Sequence, residues 1–144
     1  MEDIIQVTDY ILSKYSYTPK QVQKILFYAY SLYLVKYNDS YSTSMKKLFK
    51  GDFEARKHGP VNEQVYKYLK TYPKVKKEVV LKEKIHENFM DKVILVFGYY
   101  SGLELEEMLK KEEPWIKAYN QKENTIISDK DIYEFYSKYK KLTE

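Results

Sequence analysis

The sequence predicts a mainly α-helical protein: a single compact domain over residues 1–144, with six or seven helices and at most one short β-hairpin. Three observations carry this reading. Apolar residues recur at spacings of three, four and seven along most of the chain, which marks one face of a helix. Helix-start signals precede those runs, at Thr18-Pro19, Ser101, Pro114 and Ser128. Only one stretch, residues 45–58, shows period-two character.

The first helix spans about residues 3–15, with Ile4, Ile5, Val7, Ile11, Leu12 and Tyr15 on its apolar side. Thr18 as N-cap, Pro19 as first helical residue and Gln21 three after the cap open the second helix, which runs to about Tyr37. From Val22 to Val35 that helix has almost no polar face, so it is central to the fold or covered by a partner. Asn38-Asp39-Ser40 then breaks it. Around Lys47-Leu48-Phe49 and Phe53-Glu54-Ala55-Arg56 the pattern fits a hairpin turning at Gly51-Asp52 and stopped by Gly59-Pro60.

Pro60 is expected at the front of a third helix with Val61, Val65, Tyr66 and Leu69 on one face. Pro73 ends it, and the lysine-rich residues 74–84 read as a linker. The fourth helix covers about His86–Phe97, with two adjoining stripes, Phe89/Val93/Val96 and Met90/Ile94/Phe97. Gly98 fits a left-handed C-terminal cap. Ser101 with Glu104 forms a capping box for the fifth helix, which buries Leu105, Met108 and Leu109. Pro114 restarts a sixth turn carrying Trp115, Ile116 and Tyr119. Ser128 with Asp131 caps a last helix presenting Ile132, Phe135, Tyr136 and Tyr139.

Composition bounds the chemistry. Cysteine is absent, which excludes disulfides, thiolate zinc sites and a cysteine nucleophile. No segment approaches the ~18 uninterrupted apolar residues of a membrane span. The opening Met-Glu-Asp-Ile-Ile is acidic where a secretory signal is basic, so a cytoplasmic location is expected. The net charge is +4, and Arg56 is the single arginine among 25 basic residues. A lysine-based surface argues mildly against sequence-specific reading of DNA, which favours arginine forks.

No residue pattern assembles a reaction centre. His58 and His86 lack metal-ligand spacing, and neither a metal nor a cofactor is expected. His58 stands beside the Gly-Pro bend, where a structural role competes with catalysis. Glu106-Glu107 and Glu112-Glu113 read as solvated acids of helix faces and helix starts. Tyr66, Tyr68 and Tyr72, interleaved with Lys67, Lys70, Lys74, Lys76 and Lys77, have the makeup of a single-strand nucleic-acid platform or of an amphipathic helix with solvated lysines. An enzyme is not expected.

Two short signatures remain: Phe53-Glu54-Ala55-Arg56-Lys57-His58-Gly59-Pro60-Val61, with Val65-Tyr66 following, and Glu112-Glu113-Pro114-Trp115, which holds the only tryptophan. In order, with Lys24-Ile25-Leu26-Phe27-Tyr28-Ala29 upstream and Val93, Phe97-Gly98, Ser101 and Leu105 between them, these residues resemble the Panacea antitoxin domain family over about residues 4–139. Phe53, Ala55, Tyr66, Gly98, Pro114 and Trp115 carry the likeness. Arg56 stands where the family often has tryptophan, and Leu109-Lys110 where it often has Thr-His.

The resemblance implies a helical cytoplasmic bacterial protein, of host or prophage origin, that neutralises a cognate toxin by direct binding. The toxin would be the product of a neighbouring gene. The family also includes proteolysis adaptors, so a host protease is a second implied partner. Arg56, Lys57, His58, Gly59, Pro60 and Val61 are the expected binding edge, with a structural role for Gly59-Pro60-Val61 as the competing reading, and Trp115 is expected as a core anchor. The alternative function is a nucleic-acid-binding accessory protein of a phage or mobile element.

Overall fold

The computed structural model describes residues 1–143. Asp3 caps the first helix, α1 (Ile4–Lys14), by accepting from the backbone of Ile5 and Gln6. The Thr18/Gln21 capping box opens α2 (Pro19–Lys36) with both reciprocal bonds formed. All fourteen residues from Val22 to Val35 are buried, so α2 is the central helix. The other helices and a small sheet wrap around it.

The sheet differs from the expected hairpin in register and size. Its strands are β1 (Glu54–Arg56) and β2 (Gly59–Val61), paired antiparallel with Ala55 opposite Pro60 and Arg56 opposite Gly59. The turn is therefore Lys57-His58, not Gly51-Asp52, and Gly59-Pro60 lies inside the hairpin instead of stopping it. Gly59 adopts φ +111°, a backbone region closed to side chains that carry a Cβ. Leu48 and Phe49 do not join this hairpin. They run beside the N-terminus, where Phe49 forms an isolated parallel bridge with Glu2.

Because Pro60 is in a strand, the third helix begins later than expected. Asn62 is its N-cap, accepting from the Val65 backbone, and α3 runs Glu63–Leu69. Residues 70–83 connect to α4 (Lys84–Phe97) without regular helix or strand, although Leu81 is buried. Gly98 closes α4 in a right-handed conformation, φ −69° and ψ −12°, so it is not a left-handed cap. Space demands glycine here: a Cβ would collide with the Tyr17 hydroxyl and the Ile94 carbonyl.

The Ser101/Glu104 capping box opens α5 (Gly102–Leu109), and Pro114 lies in the first turn of α6 (Glu113–Gln121). A two-residue strand, β3 (Thr125–Ile126), then pairs with the free edge of β1 and enlarges the hairpin to a sheet ordered β2-β1-β3. Ser128 caps α7 (Asp129–Tyr136), and a 3-10 helix follows over Ser137–Thr143. Tyr139 thus belongs to the 3-10 helix, not to α7.

Burying α2 on all sides places several polar groups in the interior, where each needs a partner. Gln23 exchanges two bonds of 2.9 Å with the Asn62 backbone. Tyr30 donates to Asp129 (2.7 Å), and Tyr33 is bonded to Nε2 of His86 (3.1 Å). Ser31 Oγ is the exception among the described residues, buried with no partner. Removing an unsatisfied buried hydroxyl relieves a desolvation cost. Ser31→Ala is therefore expected to be neutral or to stabilise by up to about 1 kcal/mol, read from chemical denaturation.

Candidate functional site

The two signatures meet in space. The Trp115 indole N–H donates to the Arg56 carbonyl at 2.9 Å, which ties α6 to the end of β1. Trp115 is buried and stacks on Tyr119 with ring centroids 4.5 Å apart, in keeping with a core anchor. Phe53 and Ala55 are also buried, and Phe53 packs edge-on against Phe27 of α2. Tyr66 departs from this pattern. It is exposed, and its ring lies beneath the Lys70 ammonium (4.3 Å) and the Arg56 guanidinium (5.3 Å). Tyr68 turns inward to bond Asp9, leaving Tyr66 and Tyr72 as the exposed tyrosines of the tyrosine–lysine segment.

The expected binding edge divides. Arg56 is drawn inward by Glu54 (3.3 Å) and by a close bond to Glu63. Gly59 and Pro60 are buried, and Val61 is half-buried. Only Lys57 and His58, the two turn residues, are exposed.

Behind the turn lies a charged cluster that sequence spacing did not reveal. Lys24 of α2, only 2% exposed, donates to the Pro60 carbonyl at 3.1 Å. Its stem lies against Gly59, where a Cβ would come within 3.0 Å of the lysine Cε. Burial pulls the Lys24 amine down to about 8, against the opposing pull of Glu106. Glu106, expected as a solvated acid, is buried on α5, because α5 packs that face against α2 and β2. Its carboxylate takes Lys20 (2.6 Å), His58 Nδ1 (3.1 Å) and Lys110 (3.5 Å). Burial alone would raise its pKa, but the bonds from Lys20 and His58 outweigh burial and hold it at about 2. Lys110, where the family often has histidine, thus serves this carboxylate and sits 5.7 Å over the Trp115 ring.

His86 likewise gains partners from the fold. Glu2, Glu83 and His86 bring one ligand atom each within 4.8 Å of one another. The Glu2 carboxylate, however, already takes His86 Nδ1 (2.6 Å) and the backbone N–H groups of Lys82 and Glu83. The trio works as a clamp that fastens the chain's beginning to α4.

Glu112, from the second signature, is half-buried rather than solvated. One of its oxygens accepts from the hydroxyls of both Tyr28 (2.8 Å) and Tyr136 (3.0 Å). Burial pushes this carboxyl up, and those two hydrogen bonds, with the charge of Lys138, only partly oppose the shift.

The family model described as antitoxin SocA-like, Panacea domain matches residues 22–116, from the first buried residue of α2 into α6. The protein belongs to this family. Both signatures lie inside the matched span. The Panacea match therefore covers α2 from Val22 onward, the β1–β2 hairpin and the Trp115 anchor, the last two joined by the Arg56–Trp115 bond. No curated protein and no solved structure matches the chain.

A cluster of exposed aromatic and apolar side chains lies elsewhere, around the turn between α4 and α5. Tyr99 is 84% exposed, Tyr15 68% and Leu95 65%, and all three line one groove with Tyr17 and Tyr100. The periodicity of α4 marks its buried stripe and is silent on what its outer face presents. The available sequence signal was the Tyr99-Tyr100 pair set between Gly98 and the Ser101 cap, where large aromatics have no helix to stabilise. Val96, placed on a core stripe by spacing, is also 57% exposed.

Two outcomes follow from this geometry. Glu106 is lowered in the folded protein, so its stabilising effect is present above its ordinary pKa and lost as the pH falls from about 4.5 towards about 2. Glu106→Gln is expected to be less stable than wild type at neutral pH, with the gap closing across that acid window in denaturation curves. Gly59→Ala should cost about 1–3 kcal/mol, because it strains a positive φ and presses on the Lys24 stem.

Proposed function

We propose that this protein neutralises a cognate toxin by binding it directly, with the face formed by Tyr15, Leu95, Tyr99 and Tyr100 as the main contact. The observation that carries the reading is the exposure of these side chains side by side. Tyrosines with rigid rings and a hydroxyl at the tip are the usual anchors of protein–protein interfaces. Solvent-facing aromatics of this size do nothing for the core, so a partner is the physical reason for them. Membership of an antitoxin-like family supports a toxin as that partner.

The Lys57-His58 turn is a second proposed edge. The first turn of α2 connects the two regions: Gln21 lines the tyrosine groove, while Pro19 and Lys20 line a neighbouring groove that His58 and Val61 also reach. Binding would occlude the toxin's working surface or deliver it to a host protease. Toxin levels during co-expression separate these routes: they are maintained under occlusion and depleted under delivery.

One observation keeps the nucleic-acid reading as a second possibility: Lys20, Lys70, Tyr66 and Tyr72 share that neighbouring groove. Such binding would weaken steeply with salt.

Co-expression with the toxic product of the adjacent gene provides the test. Wild type should rescue growth and form a stable complex. Tyr99→Ala and Tyr15→Ala should each weaken the complex tenfold or more, about 1.4 kcal/mol or above. Their folding stability should move by no more than about 0.5 kcal/mol. Full rescue by the Tyr15→Ala/Tyr99→Ala double variant would exclude this face, and retention on single-stranded DNA at low salt would favour the second reading.

A further inference from the structure

Beside α4, on the other side from the tyrosine groove, a cavity of about 430 Å³ opens between α2, α4 and the 3-10 helix. Tyr28, Phe89, Phe97 and Tyr136 supply aromatic walls, Val96 forms an exposed lip, and Glu112 lies among the lining groups. Tyr28 and Phe97 are stacked, with centroids 4.1 Å apart and planes within 6°. We propose that this cavity is a binding site for an alkylammonium group, supplied by a lysine side chain of a partner polypeptide, with Glu112 as its counter-ion.

Glu112 is half-buried, yet no lysine, arginine or histidine among the described residues forms an ion pair with it; its hydrogen bonds come from two neutral phenols, and both converge on one oxygen. The second oxygen is free to accept. A half-buried acid without an ion-pair partner is costly to ionise, and burial pushes this one up despite the charge of Lys138. It therefore gains more from an incoming cation than any solvated acid on this surface would.

The walls suit the same guest. An ammonium is attracted to aromatic rings, more strongly when desolvated. A lysine stem of four methylenes suits an apolar channel that ends in a charged acceptor. The volume lies within the ordinary range of about 300–1,000 Å³ for ligand cavities.

Lys36 and Lys92 also line the cavity, which makes an anionic amphiphile the competing guest. The balance favours the cation because Lys36 already has a partner, whereas Lys138, the cation whose charge Glu112 feels, forms no ion pair with it and does not offset the cost of its burial. An exposed ammonium such as that of Lys92 gains little from pairing in water. The site shares no residue with the tyrosine groove, so it stands or falls independently of the toxin.

The test titrates the purified protein with Nα-acetyl-lysine methylamide, followed by the NMR signals of Met108 and Val96, which line the cavity. The norleucine analogue, with a similar stem and no charge, and hexanoate serve as comparisons. Saturable shifts are expected with the lysine amide, at least tenfold weaker with norleucine and with hexanoate. Glu112→Gln, of nearly equal volume, should weaken lysine-amide binding at least tenfold. Should that variant fail to fold, Val96→Arg at the exposed lip places a guanidinium at the cavity mouth and should abolish binding. No saturable binding to wild type, equal binding of norleucine, tighter binding of hexanoate, or undiminished binding to a folded Glu112→Gln or Val96→Arg variant would overturn the proposal.

Discussion

Helix α2 is buried over its whole central length, so the polar groups it carries, Ser31 excepted, find their partners inside the protein. That constraint organises the molecule. Gln23 holds the backbone at Asn62, Lys24 holds Pro60, Tyr28 reaches Glu112, Tyr30 reaches Asp129 and Tyr33 reaches His86. A purely apolar helix would bury as much surface but would not fix the direction or register of its neighbours. Hydrogen bonds are directional, and these join α2 to the hairpin, the α6 cap, α7 and α4 in turn. Buried, unpaired alternatives would each cost on the order of 1–3 kcal/mol.

The same bonds explain why the chain uses 17 tyrosines. Tyr28, Tyr30 and Tyr136 fill the core with their rings while their hydroxyls reach half-exposed carboxylates at its margin. From the core side these acids receive neutral phenols, which bury no second charge; Asp129 is also paired with Lys47 at 3.0 Å. Tyr15, Tyr99 and Tyr72 do the opposite and hold their rings in solvent. One residue type builds the interior and furnishes the surface, so composition alone is mute on binding.

The Panacea signatures are primarily architectural. Gly59 lets the hairpin turn tightly over the Lys24 stem, Pro60 offers its carbonyl to that lysine, and Trp115 locks the strand from the other side through Arg56. Of the six residues expected at the binding edge, these contacts leave Lys57 and His58 outside. His58 remains linked to the interior through Glu106, so the turn rests on a neutralised charged base rather than on a flexible loop.

Four helix starts were legible in the chain because their determinants are local. Thr18 with Gln21, Ser101 with Glu104, Pro114 and Ser128 act within three or four residues, and each starts a helix where its chemistry requires. The all-round burial of α2 was legible for the same reason, as an unbroken apolar surface. Tertiary structure alone decided the pairing of β1 with Gly59–Val61 and β3, the crowding that excludes a side chain at Gly98, and the burial of Lys24, Glu106 and Glu112. Except for the pairing of β1 with its chain neighbour β2 and the Ile94 carbonyl at Gly98, these depend on groups tens of residues away, whose positions are set by packing and not by spacing. Sequence by itself determined which segments are helices and which family the chain resembles; the fold decided which charges meet and which tyrosines face outward.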